Sequence, residues 1–355
     1  MPTPSPADEI HALVDGAIAR RVFPGAVVLI ARGEALLHAA AYGATVYEPA
    51  SASPTTLDTI YDVASLTKMF TATAALRLLE AGRLDLRAPV ASYLPEFKPR
   101  DVQIWHLLTH TSGLDIRLSA LRHAGAAGLW AAVYGLEPAH PPGSTVAYTN
   151  VNSLLLGEVV ARLSGAPLDR ALAELVLAPL GLSATCFVPP PQLRARIAPT
   201  EHDAEWRGGL VHGSVHDESA HALGGVAGHA GLFSTAGDLG RFCAAWLPGG
   251  PAPRLLGEPT IRLATANHTP SLSAACGLGW MIDRPNFMGA APPGTIGHTG
   301  FTGPAIVIVP AEQLCVVVLS NRVYPQRTPA RHHDITAQIV ALARNLFKNI
   351  PNNHT

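Results

Sequence analysis

The sequence contains three lysines, and one of them stands three residues after a serine. Lys68 lies in the apolar segment ASLTKMFTATAALRLLEAG, whereas Lys98 and Lys348 lie elsewhere and the other 22 basic residues are arginine. A helix that starts at Ser65 and ends near Gly82 places the serine and lysine side chains on one face, about 5–6 Å apart. Burial lowers the pKa of an amine, so a lysine can accept a proton where an arginine cannot. The pair predicts a serine nucleophile beside a base, although a lysine extending from a helix start to solvent has the same spacing.

Tyr148 and Asn150 form a second polar pair, in the segment AYTNVNSLLLGEVV at the start of a predicted helix. In an extended segment, residues i and i+2 project to the same side. A phenol beside a lysine ammonium can act as a base, and an asparagine amide can orient either the lysine or a substrate carbonyl. The alternative is that Asn150 or Thr149 only caps the following helix.

A third polar group lies in the segment GHTGFTG, a glycine-rich turn that leads into a predicted strand. Glycine, here Gly300, permits a ligand to approach the backbone of a sheet edge closely. The backbone N–H groups of Ser65 and Phe301 can then hold an oxyanion. His298 and Thr299 can donate hydrogen bonds to a substrate carboxylate or carbonyl. The alternative is an ordinary entry into a strand.

Secondary-structure signals at the two chain ends predict a sheet that positions these groups. The segments GAVVLIARG and ALLHAAAYG form a predicted hairpin around Gly33, and PAIVIVP and QLCVVVLSN form a second strand pair. A helix capped by Ser5 and Asp8 precedes the first pair, and the amphipathic HDITAQIVALARNLF follows the second. Helices and long loops occupy the middle. We therefore expect an α+β fold with an α/β domain from residues 1–62 and 222–355, and a mainly helical domain over residues 63–221.

Composition excludes several classes of protein. Hydrophobic residues make up 48% of the chain and charged residues 14%, so the chain can bury a large core. The net charge is −1 and no basic stripe occurs, which predicts no nucleic-acid partner. No apolar run reaches the roughly 18 residues of a membrane span. The N-terminus lacks the charge and apolar pattern of a signal peptide, which predicts a cytoplasmic protein. The oligomeric state is left open.

Cysteine and histidine patterns predict neither disulfides nor a metal site. The four cysteines are far apart in sequence and are expected to be buried thiols; they are Cys186, Cys243, Cys276 and Cys315. The 16 histidines include a group in the loop region, without an HExxH motif; its members are His212, His216, His221 and His229. Structural roles in loops are expected for this group, with metal binding as the alternative. No cofactor is expected.

The three motifs S-x-x-K, Y-x-N and H-T-G, in this order, resemble the serine β-lactamase and penicillin-binding superfamily. The match is to its class C β-lactamase-like branch, which includes D-alanyl-D-alanine carboxypeptidases, amidases and family VIII esterases. It extends from Gly25 to Phe347 and includes the stretches IWHLLTHTSGL and GHAGLFSTAGDLGRF. The resemblance implies a β-lactamase/transpeptidase-like fold: an antiparallel sheet flanked by helices, an all-helical region, and an active site in the groove between them.

The resemblance also implies a role for each motif residue. Ser65 would become acylated, with Lys68 and Tyr148 activating it and moving protons. The implied substrate-binding positions are Asn150, His298, Thr299 and Gly300. The implied oxyanion hole consists of the N–H groups of Ser65 and Phe301.

One position departs from the β-lactamase pattern. Most β-lactamases carry lysine where this chain has His298, and a histidine is only partly charged near neutral pH. Carboxylate binding is therefore expected to be weaker and pH-dependent, and Phe301 is expected to narrow the site. The favoured reading is a serine hydrolase of a small ester, an amide or a short D-amino-acid peptide. A weak β-lactamase, an acyltransferase and a non-catalytic penicillin-binding sensor are the alternatives.

Overall fold

The computed structural model describes residues 5–249, 254–327 and 332–348. Its α-helices are α1 (Pro6–Ala19), α2 (Thr67–Glu80), α3 (Ile104–Leu108), α4 (Gly125–Tyr134), α5 (Asn150–Ser164), α6 (Leu168–Leu172), α7 (Glu218–Ala222), α8 (Ala236–Ala244), α9 (Glu258–Thr265), α10 (Pro285–Met288) and α11 (His333–Lys348). Its strands are β1 (Gly25–Arg32), β2 (Ala35–Gly43), β3 (Tyr61–Asp62), β4 (Cys186–Phe187), β5 (His202–Asp203), β6 (Gly209–Leu210), β7 (Leu232–Ser234), β8 (Met281–Ile282), β9 (Ile296–Thr299), β10 (Ala305–Val309) and β11 (Leu314–Ser320).

The main sheet has six strands in the order β2-β1-β11-β10-β9-β8, and its neighbouring strands are antiparallel. The first strand of the chain thus pairs with the last, with Val28 opposite Val318. Alternate side chains of these strands point to opposite faces. The predicted α+β class and antiparallel sheet are confirmed. The division of the chain at residues 62 and 222 stays a prediction.

Each face of the sheet is covered by a separate apolar core. On one face, Val28 and Val316 pack with Ile10 of α1 and Ile339 of α11. On the other face, Val317 belongs to the large core that includes Phe242 of α8 and the helical middle of the chain. Burial on both faces explains why β10 and β11 are continuous apolar runs rather than alternating ones.

Local sequence signals account for the elements at the N-terminal end. Ser5 and Asp8 form the predicted capping box, with the Ser5 hydroxyl accepting from the Asp8 N–H. The predicted hairpin turns at Gly33, whose φ of +55° lies in the region that favours glycine. Both features depend on residues only a few positions apart, which is why the sequence predicts them.

The three motifs meet where the sheet borders the helical region. Ser65 lies in a short 3₁₀ turn, Ala64–Leu66, and α2 itself begins only at Thr67. A Cβ built on Gly300, just after β9, would lie 2.6 Å from the carbonyl oxygen of Val63. The glycine therefore lets the end of β9 pack directly against the turn that carries the serine.

The cysteine prediction needs one correction. Cys243, Cys276 and Cys315 are buried free thiols, but Cys186 is only half-buried because it lies in the short strand β4 rather than in a core element. Among the described helices, none combines the length and the hydropathy that crossing a membrane would require.

Candidate active site

Lys68 is held in one orientation by three hydrogen-bond acceptors. Its Nζ lies 2.8 Å from Ser65 Oγ, 2.9 Å from Asn150 Oδ1 and 3.2 Å from the His229 carbonyl oxygen. The side chain is 2% exposed, so this is an interior amine and not one that reaches solvent. The surface alternative for the S-x-x-K pattern is therefore wrong. Buried polar groups require such partners, and here every N–H direction of the amine has one.

Asn150 is oriented toward this amine. It is the first residue of α5, and Thr149 before it is extended, with φ −140° and ψ 148°. Neither residue makes a side-chain capping bond to the helix. The helix-cap alternative is therefore wrong, and the Asn150 amide is used across the site.

Tyr148 lies over the same amine, with its ring centroid 5.0 Å from Lys68 Nζ. Its ring contacts the His110 ring at 4.9 Å and the His298 ring at 5.7 Å between centroids. The tyrosine is 47% exposed, so one side of the phenol faces the cavity beside Ser65. The structure thus brings together the serine, the lysine and the tyrosine that the sequence singled out.

His298 differs from the sequence-based expectation. The side chain is fully buried in β9, and Nδ1 lies 2.9 Å from the Thr299 carbonyl oxygen. Because a carbonyl only accepts, Nδ1 carries the proton. Burial, reinforced by the positive charge of Lys68, lowers the pKa of His298 to about 3. The expected partial charge near neutrality is therefore wrong: His298 supplies no cation for a substrate carboxylate, and its titration cannot make binding pH-dependent near pH 7.

Buried neutral histidines predict a loss of stability in mild acid. The folded-state pKa values of His298 and His110 are both about 3, well below the ordinary value of 6.5, because of burial. Below pH 6.5 the unfolded chain binds protons that the folded chain does not. Stability is thus full above about pH 6.5, and we expect the melting temperature to fall as the pH decreases toward 4.

A matched pair of variants separates this effect from general acid sensitivity. The His110→Gln variant should show a shallower fall in melting temperature over the same pH range. His140→Gln, at an exposed histidine, serves as the control and should follow the parent curve. Identical pH curves for the parent and His110→Gln would contradict the assignment.

The third motif ends at the mouth of the cavity. Thr299 is half-buried at the end of β9, and Gly300 packs against the turn that holds Ser65. Phe301 is 48% exposed, and its ring stacks on the His216 ring with centroids 5.7 Å apart. Within the described residues, neither the Ser65 N–H nor the Phe301 N–H donates a backbone hydrogen bond. Both donors are available to a ligand.

A cavity of about 430 Å³ opens beside Ser65. The two exposed aromatic rings of Tyr148 and Phe301 contribute to its wall. The wall also carries charged residues of both signs, which are Asp115, Arg117, Asp217, Glu218 and Arg327. Arg327 is paired there with Glu201 and Glu218. The cavity is large enough for a small ester or a short peptide.

Sequence reasoning missed a buried pair behind the lysine. His229 is fully buried, and its Nε2 lies 3.1 Å from Asp217 Oδ1 and 3.0 Å from Ser219 Oγ. Burial alone would raise the pKa of the Asp217 carboxyl, but the bonds and charge of the His229 ring lower it well below its usual range. The pair fixes the position of the His229 backbone carbonyl, which accepts a hydrogen bond from Lys68 Nζ. The sequence shows His229 in the segment GHAG, but it does not show that Asp217 is its partner.

The histidines of the loop region have partners other than a metal. His212 bonds to the carbonyls of Arg194 and Ile197, and His216 bonds to Glu201. His221 lies near Ser214 Oγ, at 3.3 Å. Among the described residues, no group of three or more histidine, cysteine or acidic side chains is arranged to hold a metal ion.

Comparison with known proteins identifies the family. A sequence model of the Beta-lactamase family matches residues 10–341. The chain belongs to the beta-lactamase family. A curated relative from Escherichia coli (strain K12), named "Putative D-alanyl-D-alanine carboxypeptidase", is 33% identical over 363 residues, which cover 86% of this chain and 81% of the relative.

Solved structures show the beta-lactamase fold at lower identity. EstCE1, described as a hydrolase with promiscuous acyltransferase activity, superposes with a TM-score of 0.74 at 22% identity, covering 94% of this chain and 98% of that one. A class C beta lactamase superposes with a TM-score of 0.75 at 22% identity, covering 95% and 97%. The predicted superfamily and fold are confirmed.

Proposed function

We propose that this beta-lactamase family member is a serine hydrolase that forms an acyl-Ser65 intermediate. The observation that carries the proposal is the 2.8 Å contact between Ser65 Oγ and the buried Lys68 Nζ. A nucleophilic hydroxyl needs a base within hydrogen-bond reach, and a buried lysine is a group able to accept the proton.

The partners of Lys68 suit a base. When the Lys68 ammonium, whose charge helps to lower the pKa of His298, has lost one proton, the amine has two N–H groups and one lone pair. The Asn150 amide oxygen and the His229 carbonyl can accept the two N–H groups. The lone pair then faces the Ser65 hydroxyl. As Oγ attacks the substrate carbonyl carbon, its proton passes to Nζ and then, directly or through the Tyr148 phenol, to the departing oxygen or nitrogen.

The same groups serve in reverse for deacylation. Water attacks the acyl carbon, loses its proton to the Lys68 and Tyr148 pair, and Ser65 Oγ leaves as the alcohol. In both steps the negative oxygen of the tetrahedral intermediate would accept from the N–H groups of Ser65 and Phe301. Such donors strengthen their bonds as the charge develops and so lower the barrier.

The wall of the site supports an ester or a short peptide as the substrate. A neutral, buried His298 offers no fixed cation at the sheet edge. The half-exposed rings of Tyr148 and Phe301 offer apolar surface to an acyl group. The relative's name supports a D-amino-acid peptide as substrate, and the exposed Arg117 on the cavity wall is a cation that a terminal carboxylate could meet.

The proposal is tested by substrate turnover and covalent labelling. We expect one equivalent of a fluorophosphonate to bind per chain, and steady release of p-nitrophenol from short-chain p-nitrophenyl esters. Stoichiometric labelling without turnover of esters, D-alanyl peptides or β-lactams would instead indicate a sensor. Ester product that appears in place of acid when alcohols are added would indicate acyl transfer. A folded protein that is not labelled contradicts the proposal.

A further inference from the structure

Asp62 is a buried carboxylate that the mechanism above does not use. It is the last residue of β3 and is 2% exposed. Its Oδ1 accepts from the Ala64 N–H at 2.8 Å, and its Oδ2 accepts from the His216 N–H at 2.6 Å. Its backbone carbonyl accepts from the Thr302 hydroxyl at 2.7 Å. Asp62 is thus bonded to three segments around the cavity, namely the turn that immediately follows it and two distant segments.

Two of these segments carry the proposed oxyanion donors. Ala64 immediately precedes Ser65, and Thr302 immediately follows Phe301. The third segment, at His216, places the ring that stacks on Phe301. Each donor residue thus has one neighbour that is bonded to Asp62, and this bond restricts the direction of the donor N–H.

The backbone next to the serine requires such support. Ala64 has a φ of +46°, a conformation that residues with a side chain rarely adopt. Strained backbone of this kind persists only where the surrounding contacts fix it. The bond from the Ala64 N–H to the Asp62 side chain is one of these contacts, and it is shielded from water.

We infer that Asp62 is a positioning residue that sets the separation and direction of the Ser65 and Phe301 N–H groups. The inference rests on the proposed function, because an oxyanion forms only if Ser65 attacks a carbonyl. A purely structural role would stabilise the fold without discriminating between substrates that differ at the carbonyl atom. A positioning role for Asp62 instead changes how the Ser65 and Phe301 N–H groups bind the carbonyl atom of the substrate.

The test compares each variant on an oxygen ester and on the matching thiono ester, in which sulfur replaces the carbonyl oxygen. Sulfur is larger and accepts hydrogen bonds poorly, so a well-aligned oxyanion hole favours the oxygen ester strongly. Asp62→Asn keeps the shape of the side chain but presents an NH₂ group to one of the two N–H donors. We expect kcat/KM for the oxygen ester to fall about 10- to 100-fold through kcat, and the preference for oxygen over sulfur to fall with it.

A second variant tests the same arrangement through Thr302, which donates to the Asp62 carbonyl. Thr302→Val removes the hydroxyl that bonds to Asp62 while keeping the side-chain volume, and should also weaken the oxygen preference. Thr302→Ser retains the hydroxyl and should restore it. This series keeps the inference testable if Asp62→Asn does not fold.

A matched control is available at Asp238, another buried carboxylate. It is 2% exposed and accepts from Ala184 N–H and Thr185 Oγ1, beside a different cavity. Asp238→Asn should lower the melting temperature and leave the oxygen-to-sulfur ratio unchanged.

The outcomes separate the two proposals. A parent protein that neither reacts with fluorophosphonate nor turns over esters contradicts the proposed function, and the role of Asp62 with it. An active parent whose folded Asp62→Asn and Thr302→Val variants lose both ester activities equally overturns the Asp62 inference alone.

Discussion

Replacing Ser65 with alanine is expected to abolish covalent labelling and to lower kcat/KM by on the order of 10⁴-fold or more. The methyl group of alanine cannot attack a carbonyl, so no acyl-enzyme forms and only the binding contributions of the cavity remain. The melting temperature should fall modestly, because the buried Lys68 amine loses one of its three hydrogen-bond acceptors. Intact-protein mass spectrometry after fluorophosphonate treatment, with initial rates on p-nitrophenyl esters, measures both effects.

An exposed serine provides the control for this variant. Ser144 is exposed and its hydroxyl donates to the Pro141 carbonyl, so Ser144→Ala should retain the labelling and rates of the parent. Labelling of the Ser65→Ala protein at full stoichiometry would place the nucleophile elsewhere in the chain.

Replacing Lys68 is expected to have the second-largest effect. Lys68→Met removes the proton acceptor, and general-base groups contribute about 10²- to 10⁴-fold to the rate. Lys68→Arg retains a positive charge but cannot accept a proton, so its loss of kcat should be of similar size. If charge alone were needed, the arginine variant would keep most of the activity. The rate of acylation by the fluorophosphonate, measured before turnover, distinguishes these cases.

The consequences for folding are separable from those for catalysis. Lys68→Met leaves the Asn150 amide oxygen and the His229 carbonyl without the donor they have in the parent, which costs stability. Lys98→Met, at an exposed lysine, is the matched control and should change neither stability nor rate. Equal rates for Lys68→Met and Lys98→Met would eliminate Lys68 as the base.

Local and strongly patterned features of the chain could be predicted from sequence. The hairpin at Gly33 and the capping box at Ser5 depend on neighbouring residues, and the two apolar strands at the C-terminal end depend on continuous hydrophobic runs. The serine and lysine are three residues apart, so helical geometry alone places them together. The fold class followed from strands at both ends, with helices between them.

The rest depends on contacts between distant segments. Asp62 bonds to the His216 N–H, and His229 supplies a carbonyl to Lys68 across 161 residues of sequence. Spacing rules carry no information about such pairs. The charge state of His298 was mispredicted for the same reason, because the burial that lowers its pKa comes from the strands and helices packed around β9. The residue type gives only the ordinary pKa of a side chain, and its burial and its charged neighbours in the folded protein determine the shift.

The pairing of β1 with β11 also constrains how the chain reaches its native state. Val28 and Val318 can meet only after Val318 has left the ribosome. Until then, β1 and β2 form a hairpin with one open, apolar edge, which is the kind of surface that associates with other chains. Closing so large a loop is slow because its entropy is lost before the strand contacts form. We therefore expect an interval during synthesis in which the edge of β1 is unpaired, and we expect a chaperone that covers this edge to raise the yield of native protein.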